Sequence, residues 1–554
     1  MSMKATGPRA DARRDLVLLF VLGLAVNLVV ARWVTNPGYT DAYYYFDSAV
    51  QLAHGEGFTE PYLWNYLAVT TPEADAAHRW PSHLYWMPLP ALVAAPFMAL
   101  AEAAAGPLEH AALFRAAQAP FIALAAGLPL LAYAVAQALT GNRRHGWAAA
   151  LLTLFSPYYL IYWPTTEAFA LFGLAASGAL LAAWRAGQAR AGAGRWLFAA
   201  GVAAGLAHLT RADGALLAGV IGLWWAAAHW RTWRGPPARE WLGPPVMLVT
   251  GYLLVLGPWF ARNVLVTGAP LPPGGLRTAW LLDYNELFTL NPAQLTAARY
   301  FAAGWAAIVA RKWAALQTNA ASFAAVQTNL VGLPLLVWGA WRLRRHPLLQ
   351  LTGLYALALF TLMTFVFTLP GERGGFFHSS VALLPAGWAV MAAGLDAAVE
   401  GAARRRKHWR PERSRPVFTG LLVAASVALA ALLTVPRLPG WAGRDAGYAA
   451  AGRLTAADVR PVVTVNNPPG WYYQTGQAAI VIPSDASDAS GGATAVLAAM
   501  QRFGSRWLIL EANHPAELEA LYGAPEGDPA LTLRATLDGG GGVPLYVLER
   551  MTEP

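Results

Sequence analysis

The sequence predicts an α-helical polytopic membrane protein of about eleven spans. A large first external loop and a small external α/β domain at the end complete it. Three observations predict this. Of the 554 residues, 56% are hydrophobic and 13% charged, where a soluble globular domain carries about 25% charge. The apolar residues come in runs of about 18 to 25, the length that spans a bilayer core. From Pro436 onward the pattern becomes short β-branched runs between Gly and Pro turns.

Basic clusters set the topology. Lys4, Arg9, Arg13 and Arg14 precede the run from Leu16 to Val34, which puts the N-terminus in the cytoplasm and Asp41 outside. That run lacks a small-residue cleavage site and reads as a retained span. Further basic clusters at 143–144, 185–195, 231–239, 342–345 and 404–415 mark cytoplasmic turns. A span at 83–102 would invert all of them. This Pro- and Trp-rich segment therefore reads as a re-entrant or interfacial helix, and 35–110 becomes one external loop.

The remaining spans of the membrane domain (1–435) follow at 111–139, 146–164 and 168–186. A hairpin of two short helices occupies 196–230, with "HLTRADG" at its tip. Spans continue at 241–260, 321–341, 348–369, 376–395 and 417–435. In the external domain (436–554), "PVVTVNN", "AAIVIP", "RWLILEA", "LTLRATL" and "PLYVLER" read as strands, and "GATAVLAAMQRFG" as a helix.

The net charge of +9 does not indicate nucleic acid, because the basic residues sit at membrane turns. The absence of cysteine excludes disulfides, thiolate metal sites and a Cys nucleophile.

Ionisable side chains at membrane depth are costly and therefore informative. On this topology they gather on the external side from several segments. Asp41 and Tyr44 lie in "TDAYYYFD", His83 precedes the re-entrant helix, and Glu167 ends "SPYYLIYWPTTE". Arg211 and Asp213 sit on the hairpin tip, Arg262 in "GPWFARN", and Glu372, Arg373 and His378 in "LPGERGGFFHSS". Each has a plain structural reading: Asp41 a helix cap, Glu167 a first-turn acid, Arg211–Asp213 and Glu372–Arg373 turn pairs. Tyr44 reads as part of an interfacial belt and His83 as a loop histidine, since no tight metal-ligand spacing appears. Their convergence is more specific than any one of them.

In this order, "TDAYYY", "YWMPLPAL", "SP…TTE", "LTRADG" and "GPWFARN" followed by "TGAP" resemble the GT-C-fold glycosyltransferases. Residues 15–395 are similar to the bacterial branch of protein O-mannosyltransferases and lipid A aminoarabinose transferases. The resemblance implies a sugar moved with inversion from a polyprenyl-monophosphate carrier to an acceptor hydroxyl. The acceptor would be a glycan, lipid or protein at the external face of the plasma (inner) membrane. It implies Asp41 as general base and Glu167 as the acid that orients base or acceptor. Arg211, with Arg262 and Arg373, would meet the lipid phosphate. Tyr44, His83, Asp213 and Glu372 complete the expected donor pocket.

The sequence also departs from the family pattern. Ala42 stands where many relatives carry a second acid, and Ala212 where Pro is common. Trp86 and Met87 occupy the place of an acidic metal ligand in some relatives, so the resemblance gives little support to a divalent metal; His83 is the nearest substitute. Two rival readings are a lipid-linked sugar flippase and a non-catalytic membrane assembly protein of the same fold. A transporter would show inverted repeats and broken helices near the midplane. Replacing Asp41 separates an enzyme from a scaffold.

Overall fold

A computed structural model describes residues 8–67, 79–189, 191–229, 238–406, 408–443, 445–456, 458, 461–484 and 493–551. Among the described residues, seven helices are long and apolar enough to cross a membrane. They are Asp11–Trp33, His110–Thr140, Ala168–Gln188, Gly243–Thr267, Pro347–Val366, Thr368–Arg405 and Pro411–Thr434. Trp305–Thr328 and Leu333–Leu343 meet the same test together but are bent by 80°. The chain is a multi-pass membrane protein.

The order begins α1 (Pro8–Trp33), α2 (Thr40–Ala53), α3 (Leu89–Ala105), α4 (His110–Thr140) and α5 (Arg143–Leu154). It continues α6 (Ala168–Gln188), α7 (Ala193–Thr210), α8 (Ala215–His229) and α9 (Ala238–Thr267). The re-entrant segment appears as α3, a 17-residue apolar helix beginning after Pro88. The hairpin appears as α7 and α8 around a short turn at Ala212–Gly214. The basic run at 231–239 falls mostly outside the described residues.

Two predicted spans and one predicted turn take a different form. The helix expected over 146–164 stops at Leu154, because Pro157 disfavours helical geometry at Ser156. An irregular segment then leads to Glu167. The span expected at 321–341 breaks where Asn329 and Leu330 adopt φ of 48° and 65°. The turn expected around 372 is instead helical with a kink, its Gly374 at φ 127°, a backbone geometry that favours glycine.

Close helix contact rests on small residues, as apolar association in lipid requires. A Cβ added at Gly201 of α7 would lie 2.0 Å from the Leu248 carbonyl oxygen of α9, and one at Gly251 of α9 2.3 Å from that of Phe198. Backbone cannot yield as a flexible side chain does. Gly201→Leu is expected to destabilise the protein by about 3 kcal/mol or more. Its melting midpoint in detergent, compared with that of Gly219→Leu, checks this; a Cβ at Gly219 meets nothing within 4 Å.

The five runs read as strands form β4 (Val462–Val465), β5 (Ala478–Val481), β6 (Trp507–Leu510), β7 (Leu531–Asp538) and β8 (Pro544–Arg550). The first loop adds β1 (Thr59–Glu60), β2 (Tyr62–Leu63) and β3 (Trp80–Pro81). The main sheet runs β2-β5-β4-β6-β8-β7, with β2 parallel to β5. The first loop thus contributes an edge strand to the C-terminal sheet. Tyr66 Oη donates to the Val481 carbonyl at 2.5 Å, and His110 Nδ1 to that of Tyr473 at 2.7 Å. Phe46 of α2 packs on Tyr473 with ring centroids 5.1 Å apart. The Phe46 contact ties the C-terminal sheet region to the helix that carries Asp41.

Candidate active site

Asp41 lies in the first turn of α2, where the helix dipole favours an anion. Tyr39 holds the N-cap position and makes no side-chain capping bond. Glu167 immediately precedes α6 and is 2% exposed. The two helix starts are tied directly: Thr166 Oγ1 donates to the Ala42 carbonyl at 2.8 Å. The broken helix after Leu154 is what lets "PTTE" reach α2.

His378 arrives from the kinked segment. Its Nε2 lies 3.9 Å from Asp41 Oδ2 and 3.8 Å from Glu167 Oε1. One donor atom from each of the three residues falls within 4.8 Å of the others. Two carboxylates and an imidazole suit a divalent cation. His83, the nearest substitute expected from sequence, is not among them.

Arg211 caps the C-terminal end of α7. Its Nε donates to Ser379 Oγ at 2.9 Å and lies 3.2 Å from Asp213 Oδ1. A Cβ at Gly214 would fall 2.4 Å from the Ala207 backbone, so this tight turn requires glycine. Burial raises the carboxyl pKa values of Asp41 and Glu167, and the Asp41 charge adds to the rise at Glu167. Arg211 opposes the rise at both. The Tyr85 and Tyr284 hydroxyls feel the Asp41 charge from two further loops. The exposed Arg373 guanidinium sits 5.1 Å from the Tyr284 ring centre. Glu372 is its partly exposed neighbour.

Asp41, Glu167, Arg211 and Asp213 are therefore brought together, with Arg373 near Tyr284. Three expected donor-pocket residues are placed elsewhere, in a buried knot that braces the first loop. Arg262 donates to the Ser82 carbonyl at 2.8 Å, and its guanidinium lies 4.8 Å from the Trp259 ring centre. Tyr44 is 1% exposed, and its hydroxyl accepts from the His83 backbone N–H at 2.6 Å. His83 is 2% exposed, at φ 59°. Each makes a hydrogen bond with loop backbone, and none is among the residues that gather around Asp41 and Glu167.

The same knot holds Glu60, whose carboxyl burial pushes up to about 8 from 4.5, against Tyr44 and Arg262. The folded protein therefore holds this proton more tightly than the unfolded chain. Stability falls as pH rises between 4.5 and about 8. Glu60→Gln is expected to flatten that slope, read as the melting midpoint across this window.

Sequence reasoning noted His378 without placing it in the site, and it missed Tyr85 and Tyr284. The glycine pair before "FFHSS" was an available signal for His378, marking a break in an apolar helix. The two tyrosines carry no signal that separates them from other aromatic loop residues.

The family model for dolichyl-phosphate-mannose-protein mannosyltransferase matches residues 109–261. No curated protein matches the sequence. Among solved structures, the chain is similar to the archaeal oligosaccharyltransferase AglB from Archaeoglobus fulgidus, in complex with an inhibitory peptide and a dolichol-phosphate. The TM-score is 0.56 at 12% identity, over 90% of this chain and 69% of that one. It is also similar to ArnT from Cupriavidus metallidurans bound to undecaprenyl phosphate. There the TM-score is 0.54 at 16% identity, over 96% of this chain and 97% of that one. The chain has the GT-C fold of polytopic membrane glycosyltransferases.

Proposed function

We propose that the chain is an inverting glycosyltransferase that moves a sugar from a polyprenyl-monophosphate carrier to an acceptor hydroxyl. The reaction takes place at the external face of the plasma (inner) membrane. The observation that carries this is the meeting of Asp41, Glu167 and Arg211 from three helix ends.

Transfer forms a bond between the acceptor oxygen and the anomeric carbon and breaks the bond from that carbon to the lipid phosphate. Asp41 takes the acceptor proton, and Glu167 orients acceptor and base. Arg211 stabilises charge on the departing phosphate, with Arg373 nearer the rim. The dolichol-phosphate and undecaprenyl phosphate in the two similar structures support a monophosphate carrier. Basic turns at the end of the bundle away from Asp41 support the external orientation of the site.

The test offers purified protein matched polyprenyl-monophosphate, polyprenyl-diphosphate and nucleotide-linked sugars with cell-envelope acceptor. Transfer from the monophosphate donors is expected. Transfer from nucleotide sugars alone overturns the reading.

A further inference from the structure

We propose that Trp441, in the segment joining the last span to the C-terminal domain, is a positioning residue for the transfer described above. Its indole locks together the two chain segments that carry Asp41 and Glu167. The inference rests on the glycosyltransferase reading and extends it to this linker.

The indole is anchored at a fixed place. Trp441 lies in the short helix Arg437–Ala442, just after the span Pro411–Thr434. It is 8% exposed and packs in the hydrophobic core of the membrane helices, whereas Tyr448, a few residues on, packs in the core of the C-terminal sheet. Its Nε1 donates to the Asn36 carbonyl at 2.9 Å. The ring lies against Gly38, where an added Cβ would fall 1.9 Å from the indole Cε2. Gly38 also holds φ 86°, a backbone geometry that favours glycine.

From this place the indole touches both arms of the site. Its ring centre is 5.8 Å from that of Tyr39, at 80°, and 5.6 Å from that of Tyr162. Tyr39 and Tyr162 meet each other at 5.5 Å and 81°. The three rings close a triangle of mostly edge-to-face contacts, which aromatic quadrupoles favour.

Each tyrosine leads to one carboxylate through bonded backbone. Tyr39 is the N-cap of α2, two residues before Asp41, and its carbonyl accepts from the Tyr43 N–H. The Tyr162 carbonyl accepts from Thr165 Oγ1 at 2.8 Å, and the Thr165 carbonyl accepts from the Glu167 N–H at 2.8 Å.

The triangle supplies a constraint that the other ties leave out. Thr166 Oγ1 joins the two segments at the Ala42 carbonyl. Gln118 Nε2 joins them again through the Val34 and Pro164 carbonyls, at 3.1 and 2.9 Å. Two attachments still allow rotation about the line between them, and a third removes it. Reacting groups need that rigidity, because a misplacement of about 1 Å can cost about 10²-fold in rate.

Full-length wild type, Trp441→Ala and Trp441→Phe in detergent are compared by steady-state transfer, per mole of folded protein, and by hydrogen–deuterium exchange. In Trp441→Ala, kcat is expected to fall about tenfold or more with KM for the lipid-linked donor within about twofold of wild type. Amides of 39–46 and 160–167 should exchange faster together, while those of α7 and α9 keep their protection. Trp441→Phe keeps an aromatic ring but loses the bond to Asn36, and its kcat should fall between the two. Unchanged kcat with both segments loosened overturns the positioning role, as does lost kcat with exchange unchanged in either segment. If Trp441→Ala does not fold, wild-type kcat in Trp441→Phe overturns it instead. Wild type that transfers from no donor overturns the glycosyltransferase reading, and the exchange of the two segments then decides by itself whether Trp441 couples them.

Discussion

Asp41→Asn is expected to lower the rate of acceptor glycosylation by about 10²- to 10⁴-fold, the usual contribution of a positioned general base, with little change in melting midpoint. Asparagine keeps the size of the side chain and the geometry of the first turn of α2, but it cannot take a proton at neutral pH. The plain alternative, that Asp41 merely caps its helix, fits poorly. Tyr39 holds the N-cap position, and Asp41 is one residue inside the helix. A capping loss would appear as about 1 kcal/mol of stability and leave turnover intact. The paired measurement of rate and midpoint separates the two. Equal turnover in the variant would remove Asp41 from the mechanism and direct attention to Glu167.

Arg211→Gln is expected to lower the rate by about 10²- to 10³-fold, the cost of removing one donor to developing negative charge. Unlike Asp41→Asn, it should also lower the melting midpoint. The Asp213 side chain is 8% exposed and faces Arg211 at 3.2 Å, so the variant leaves a buried acid without its partner. The two effects come apart in the double variant Arg211→Gln/Asp213→Asn. Removing the orphaned charge should recover stability without recovering the rate. If the double variant recovered both, Arg211 would be a structural residue and the phosphate would be met elsewhere, with Arg373 the next candidate.

Much of this architecture was legible in the sequence because hydropathy and basic turns report directly on membrane crossing. The five late strands were legible for a related reason: β-branched runs bounded by Gly and Pro have few alternatives. Interruptions inside apolar stretches were harder. Pro157 ends α5 early and Asn329 breaks the candidate span at 321–341, yet both lie in segments whose composition suits a continuous helix. Two-residue β2 is too short for periodicity to register, so its place in the C-terminal sheet depends on tertiary pairing alone.

The same division holds at the site. Asp41, Glu167 and Arg211 stand out because they are ionisable residues at helix ends beside apolar runs. Tyr44, His83 and Arg262 share that surface pattern but brace the loop, since sequence cannot tell a polar group facing a cavity from one bonded to backbone. His378 shows the converse. Its placement depends on the kink at Gly374, whose carbonyl meets Nδ1 while Nε2 lies 3.9 Å from Asp41 and 3.8 Å from Glu167.

The proposed reaction breaks the bond between sugar and lipid phosphate. The most direct measurement reconstitutes the protein in sealed vesicles with a radiolabelled polyprenyl-monophosphate sugar and acceptor on the side of the site, then follows the fate of that bond. Polyprenyl phosphate is expected in equal amount to glycosylated acceptor, with no release when acceptor is withheld. Intact lipid-linked sugar moving to the opposite leaflet, with no phosphate released, would contradict it and identify a transporter.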